Sequence, residues 1–407
     1  MFFYFQLDSM LDFGYINNLH YKVRANCIMI PLLIIGTLCY IILLIILFIG
    51  ISRNKKVTTT TTPSISVLVA ARDEETRIGA CLDALLAQDY PKENIEIIVI
   101  DDNSCDSTAD IVNQYHQQDS RIKLISAGLN PDGLGPKKNA LRWGIQASRG
   151  DLIVTTDADC TPPVTWLTTM VSYFQDTVGV VAGPSILIAD DHWIRHWLVL
   201  ENLGNIAIYA GSTGLGFPMG AQGANLAYRR QVWDELGFGD QGRTFSGDDD
   251  LFVQRVARNG KWKVRYALKS SASVPHHHHL TGKNTIHQKR RHLSVIRWYR
   301  KEIVGLAALV ALYHVFLALG LVLGLFSLPI LVIWFGCTVI KTIGDGLILM
   351  KTARKLSVRI PLFWLPFAEI LRPWVMLFMV PWSWLAPVSW KGRVRSAAPV
   401  PNSVETL

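Results

Sequence analysis

Cysteine is scarce in this chain and follows no pattern. The 407 residues include six (Cys27, Cys39, Cys81, Cys105, Cys160 and Cys337), none in C-x-x-C spacing, so neither a disulfide framework nor a zinc site is implied. Charge is sparse as well. Charged side chains make up 18% and hydrophobic ones 50%, a balance too apolar for an ordinary soluble enzyme. The formal net charge of +8 is not spread as a nucleic-acid-binding face would be. Its basic residues gather beside apolar runs: Arg53, Lys55 and Lys56; Lys289 to Arg291, Arg297, Arg300 and Lys301; Lys351, Arg354, Lys355 and Arg359; and Lys391, Arg393 and Arg395. That is the positive-inside pattern of a membrane protein, and it argues against nucleic acid as a partner. Missing too, after the first apolar run, is the small-residue cleavage pattern of a signal peptide, so the run reads as a retained anchor.

The apolar excess divides the chain. Residues 1–26 read as a tail on the far side of the membrane, and 27–51 as an anchor whose roughly 24 apolar residues can cross a bilayer core of roughly 30 Å. Residues 52–62, with five consecutive threonines, form a solvated linker. A section of ordinary globular composition occupies 63–287. The basic amphipathic stretch at 288–302 either lies along the membrane surface or faces a pyrophosphate. Membrane segments fill 303–390, and 391–407 is a basic tail. The basic flanks predict a cytoplasmic globular section in a chain that crosses its membrane several times, a bacterial inner membrane being the expectation. Lys341 and Asp345 stand four apart on one helical face, where snorkelling to the inner surface is favoured over pairing with each other or lining an acceptor path. Residues 361–388 carry five prolines together with Glu369 and Arg372, which favours an interfacial or re-entrant segment.

Between residues 63 and 287, strand and helix patterns alternate. Ile65–Ala70 is a buried strand, and Arg72-Asp73-Glu74-Glu75 opens a helix to Leu86. A second strand, Ile95–Ile100, ends in Asp101 and Asp102; a helix to about Gln117, a strand over 121–126 and a helix over 136–148 follow. Lys137 and Lys138 lie in the first turn of that last helix. The alternation predicts an α/β fold with a mainly parallel sheet, which binds ligands at the carboxyl ends of its strands. Glycines from Gly211 to Gly223 point to backbone close to a ligand or to an irregular loop. The four histidines His276–His279 favour a surface loop, because adjacent imidazoles cannot all face one ion.

Two carboxylate groups stand out. The apolar run Leu152–Thr156 ends in Asp157 and Asp159, which share one side of a strand. Such a pair suits a divalent cation that completes its shell with water and substrate phosphate. Further on, Asp248, Asp249 and Asp250 open a helix to about Arg258. Acids suit a helix N-terminus on dipole grounds alone, but a third beside a glycine loop points to a general base.

In this order the motifs resemble the membrane-bound inverting glycosyltransferases of family 2, with the nucleotide-sugar-binding GT-A fold, over about Pro63 to Arg300. The resemblance rests on VLVAARDEE at 67–75, VIDDNS at 99–104, KKNAL at 137–141, TDAD at 156–159, GDDDL at 247–251 and QKRRH at 288–292. It implies that Asp73, Glu74 and Asp101, with Asp102 as a further partner, contact the base and ribose of a sugar nucleotide, a UDP-sugar by default. Lys137 would sit near the diphosphate. Asp157 and Asp159 would be the D-x-D pair, Asp159 reaching Mg2+ or Mn2+ and Asp157 helping to hold metal and donor. Asp248 and Asp249 match the family's Glu-Asp position; Asp249 is favoured as base, with three adjacent aspartates leaving the register open. Gln288 and Arg291 match the Q-x-x-R of the family's Q-x-x-R-W motif on the acceptor and diphosphate side, and His292 stands where tryptophan is usual.

That departure and the small membrane portion favour transfer of one sugar to a lipid-linked or membrane-embedded acceptor over processive polysaccharide synthesis. An inactive membrane-anchored nucleotide-binding protein is a rival that would tolerate loss of Asp159 or of the acids at 248–250. A two-carboxylate glycoside hydrolase is another, and it leaves Lys137 and Asp101 without a role.

Overall fold

The computed structural model describes residues 2–54, 61–189, 194–239, 244, 246–278, 289–385, 388–390 and 393–395. Helix α1 (Phe2–Arg53) opens the chain, so residues 2–26, read from sequence as a tail, are helical and continuous with the anchor. Then strands and helices alternate: β1 (Ile65–Ala71), α2 (Ile78–Leu86), β2 (Ile95–Asp101), α3 (Thr108–Gln118), β3 (Ile122–Ser126), α4 (Pro136–Ala147) and β4 (Leu152–Asp157). These four strands are parallel, in the order β3-β2-β1-β4. The chain builds outward from β1 through β3 and returns to the other side of β1 for β4. The gap between β1 and β4 is therefore a topological switch point, where such sheets bind ligands.

The second half of the α/β unit contains α5 (Trp166–Val171), β5 (Val178–Ala182), β6 (Ser185–Ala189), α6 (Arg195–Gly214), β7 (Leu226–Arg229), α7 (Arg230–Leu236), α8 (Asp250–Asn259), β8 (Lys263–Tyr266) and β9 (Val274–His278). Strand β7 runs antiparallel between β4 and β5, and β8 joins β5 in parallel. The sheet is mixed but mainly parallel. Because side chains alternate, β1 and β2 feed two cores. Val67, Val69, Ile97 and Val99 pack on one face with Trp166 and Met170, while Leu68, Ile98 and Ile100 pack on the other with α4 and α6.

Three local expectations need correction. Helix α2 begins at Ile78, not at Arg72, because Asp73 takes a left-handed conformation (φ +51°) and leaves residues 73–75 in a loop. His276–His278 are not a surface loop but form β9, paired in parallel with β6; His279 lies outside the described residues. The Ser185 hydroxyl meets His276 Nδ1 at 2.9 Å, which gives that imidazole an inward partner. Gly211 and Gly214 belong to α6, not to an irregular loop. A Cβ on Gly50 would stand 2.0 Å from the Gly211 carbonyl oxygen, and one on Gly214 would stand 2.0 Å from that of Gly50. These glycines let α6 lie backbone-to-backbone on α1, where Asn54 Nδ2 also donates to the Ala210 carbonyl at 2.7 Å.

The C-terminal part holds α9 (Lys301–Gly324), α10 (Leu328–Leu356) and α11 (Leu365–Leu385). With Val23–Arg53, Lys301–Gly324, Leu328–Leu356 and Leu362–Ser383, four helices are long and apolar enough to cross a membrane. Pro373 and Pro381 lie inside α11 and do not end it, contrary to their reading as breaks. Trp364, just before α11, stacks on His196 of α6 at 5.1 Å, and Trp382 near the other end of the helix lies 4.4 Å from the Arg290 guanidinium. Snorkelling by Lys341 is also overturned. This side chain is 1% exposed and donates to Asp345 Oδ2 at 2.7 Å and to Glu369 Oε2; Arg372 pairs with the other Glu369 oxygen at 3.1 Å. Helix α11 supplies the acid that removes any need to reach the headgroups.

Candidate active site

Three parallel strands deliver carboxylates to one edge of the sheet. Ala71 pairs in register with Asp101, and Ala70 with Asp157, so residues 72–75, 101–104 and 157–159 emerge side by side. The first two loops are tied together. Asp73 Oδ1 accepts from the Cys105 amide at 2.8 Å, the Asp73 amide donates to Ser104 Oγ at 3.1 Å, and the Glu74 amide donates to Thr108 Oγ1 at 2.8 Å. The Asp101 carboxylate accepts from the Ser104 amide at 3.2 Å and from its hydroxyl at 2.5 Å. Asp102, 3% exposed, turns inward behind this edge.

The third loop carries the D-x-D pair. Lys137, in the first turn of α4 directly after Pro136, donates to Asp157 Oδ1 at 2.7 Å and stands 3.4 Å from Asp248 Oδ2. Burial works against its charge, but Asp157 and Asp248 outweigh it and raise the ammonium pKa. Asp159 is pushed up to about 6, by burial first and then by the charges of Asp157 and Glu74. Negative potential concentrates here beyond what Lys137 and Arg77 offset. The backbone of Cys160, next to Asp159, bridges to His276 and so ties β9 to this loop.

The acids at 248–250 reach the same place from α8. Gly247, at φ +77°, turns the chain into the helix. Burial alone would raise the Asp248 carboxyl, yet Lys137 and Lys138 hold it below the usual carboxylate range. Asp249 caps α8: its Oδ1 accepts from the Asp250 amide at 2.8 Å and its Oδ2 from the Gly223 amide at 2.6 Å. Burial, with Asp248 alongside, pushes this carboxyl up to about 6. Asp250 is spent differently, accepting from the Ala221 amide at 2.9 Å and from the Tyr299 hydroxyl. Arg291 lies within electrostatic reach of Asp248, Asp157 and Asp249. His292 is exposed, and Gln288 lies outside the described residues.

Residues 66–237 match the family model described as glycosyl transferase family 2, and residues 152–391, more than half of the chain, match that of glycosyl transferase family group 2. The chain belongs to glycosyl transferase family 2. The probable glycosyltransferase YdaM of Bacillus subtilis is 31% identical over 196 residues, 47% of this chain and 46% of that protein. The beta-monoglucosyldiacylglycerol synthase of Synechocystis is 35% identical over 112 residues, 28% of this chain and 23% of that protein. The family 2 chain thus spans less than half the length of either relative. Among solved structures, the mannosyltransferase PcManGT from Pyrobaculum calidifontis, in complex with GDP-Man and Mn2+, shares the fold with a TM-score of 0.54 and 17% identity, over 88% of this chain and 97% of that one.

Sequence reading of this family 2 site missed several residues. Lys138, 2% exposed, donates to Thr244 Oγ1 at 2.5 Å and to the Ser246 carbonyl at 3.0 Å, and so anchors the approach to the three acids. Gly223 leaves room that a Cβ would take up, at 3.0 Å from Asp248 Oδ2 and 3.1 Å from Asp249 Oδ2. Only the neighbouring KK pair and glycine run hinted at either. Tyr299 gave no signal at all.

Proposed function

We propose that this family 2 chain transfers a sugar from a nucleotide-sugar donor to a hydroxyl of a membrane-associated, lipid-linked acceptor, with inversion at the anomeric carbon. The observation that carries the reading is the Lys137 ammonium, 2.7 Å from Asp157 and 3.4 Å from Asp248, which makes one charged site of the D-x-D loop and the acids of α8. Asp73, Glu74 and Asp101 line the edge where a base and ribose would lie, with Asp102 behind them. Asp159 and Asp157 suit Mg2+ or Mn2+, because burial and neighbouring acids disfavour ionised Asp159 and a cation reverses that penalty. When bound, such an ion neutralises charge on the departing nucleoside diphosphate.

Lys137 and Arg291 add positive charge on the diphosphate side. Asp249 takes the acceptor hydroxyl proton as the oxygen bonds to the anomeric carbon and the bond to the diphosphate breaks on the opposite face. Asp248, held ionised by lysines, keeps Lys137 in place. A membrane acceptor is supported by α6, which lies on α1 and reaches the site through Tyr209. In this reading 63–287 is the cytoplasmic catalytic domain, 27–51 and 303–390 lie in the membrane, and 288–302 connects them.

The test is a panel of UDP- and GDP-sugars offered to the purified full chain in bacterial lipid vesicles, with and without Mn2+, scored by nucleoside diphosphate release and product size. Metal-dependent release with one sugar added per lipid is expected. A ladder of products would favour polysaccharide synthesis, and metal-independent hydrolysis would overturn the assignment.

A further inference from the structure

One face of α8 joins two segments that are far apart in sequence. Asp250 accepts from the Ala221 amide through Oδ1 at 2.9 Å and from the Tyr299 hydroxyl through Oδ2. Gln254, one turn later, repeats the pattern. Its Nε2 donates to the Met219 carbonyl at 2.7 Å, and its Oε1 accepts from the Arg300 amide at 3.1 Å. Residues i and i+4 lie one above the other, so the two side chains form parallel rungs between residues 219–221 and residues 299–300. Both are buried, at 8% and 3% exposure. A cut rung therefore leaves buried polar groups unsatisfied, a cost that simple packing would not impose.

The fit around the rungs is close. A Cβ on Gly220 would stand 2.1 Å from Asp250 Oδ1 and 2.7 Å from the Tyr209 ring, so no other residue suits that position. The Arg300 guanidinium lies over Phe217 at 4.8 Å, and Val295 packs where a Cβ on Gly247 would stand, 2.7 Å from its Cγ1. Each tied segment also carries a group of the proposed reaction. The loop continues to Gly223, whose amide donates to Asp249, and residues 289–300 include Arg291.

We propose that Asp250 and Gln254 are positioning residues: a two-rung clasp that aligns Asp249 with Arg291 by docking residues 289–300 against the glycine loop. This inference rests on the reading of Asp249 as the base.

Tyr299→Phe and Gln254→Met each cut one rung and keep side-chain volume. In the full chain in lipid vesicles, with the sugar nucleotide that gives release in the panel above, each should lower kcat about tenfold and raise donor KM, because Arg291 shifts with residues 289–300. The acid limb of the kcat–pH profile should move as well. Asp250→Asn, which keeps an oxygen for Ala221 and a polar partner for Tyr299, should retain more turnover than Asp250→Ala. Hydrogen exchange, which needs no substrate, should quicken in residues 217–223 and 289–300 together. Unchanged kcat and pH profile in both rung variants, or faster exchange in one segment without the other, overturns the clasp. Asp249→Asn serves as the separate control: if it turns over normally the base assignment fails, and coupled exchange alone then judges the clasp.

Discussion

The Gly223 amide donates to Asp249 Oδ2 at 2.6 Å, and this contact fixes one oxygen of the carboxyl we propose as the base. Hydrogen bonds from two amides favour the ionised form, but burial and the Asp248 charge win, and the carboxyl is pushed up to about 6. A base must be ionised, so kcat should rise as pH passes upward through about 6 and level off above it. The same shift has the opposite sign for stability. The folded state holds the Asp249 proton more tightly than the unfolded chain does, so stability declines as pH climbs from the ordinary carboxylate range to about 6. Asp249→Asn should therefore remove this decline of Tm with rising pH while reducing turnover by roughly 10²- to 10⁴-fold. A pH–rate profile and a thermal melt on the same preparation check both, and a flat profile through pH 6 removes Asp249 as the base.

Gly223→Ala isolates the fit of that amide. The added Cβ would stand 3.0 Å from Asp248 Oδ2 and 3.1 Å from Asp249 Oδ2, so the two carboxylates must both give by a few tenths of an ångström. Turnover should fall by up to about tenfold with the fold intact, since a shift of this size costs less than the roughly hundredfold of a 1 Å displacement at a reacting centre. Circular dichroism and nucleotide release distinguish this from unfolding. Wild-type turnover would mean that the carboxylates are not held by the loop.

Asp159→Ala should abolish Mn2+-dependent donor binding. Chelation of the wild type should give the same loss, restored on adding Mn2+. Lys137→Met should act differently, because it leaves Asp157 and Asp248 facing each other without the ammonium that now lies 2.7 Å and 3.4 Å from them. Metal binding should persist while donor affinity drops about tenfold or more, as expected for loss of a charge-assisted contact. Calorimetric titration of Mn2+ and of UDP- or GDP-sugar into each variant reads the two effects separately. Donor affinity unchanged in Asp159→Ala would sink the metal assignment.

The parts of this site that could be read from sequence are those whose chemistry is local. A branched run followed by Asp157 signals a strand end that carries a carboxylate, and β4 ends at Asp157, with Asp159 in the turn beyond it. Asp101 follows from the same logic on β2. What escaped reading is set by distant partners. Strand β7 carries no mark of running antiparallel between β4 and β5, because register is decided across the sheet. His276 belongs to β9 only because β6 supplies its ladder. Gly211 and Gly214 are helical because α1 presents Gly50 to them, a pairing across some 160 residues that no local window contains.

The same lesson gives the last prediction, at Lys341. Alone in an apolar helix it invites the snorkelling reading, yet it is 1% exposed between Asp345 and Glu369, with Arg372 and the Tyr40 hydroxyl closing the network. The Tyr40 hydroxyl donates to Asp345 Oδ1 at 2.8 Å, so α1, α10 and α11 all contribute. A buried network of this kind adds little net stability when complete, but losing one partner strands the others, at about 3–5 kcal/mol. Lys341→Met should thus lower the Tm of the full chain in detergent sharply. Adding Asp345→Asn to Lys341→Met should recover much of the loss, since the remaining Glu369 carboxylate still pairs with Arg372 at 3.1 Å and no charge is left uncompensated. Recovery marks the penalty as electrostatic. A double variant as unstable as the single one would place the cost in packing around the lysine stem instead.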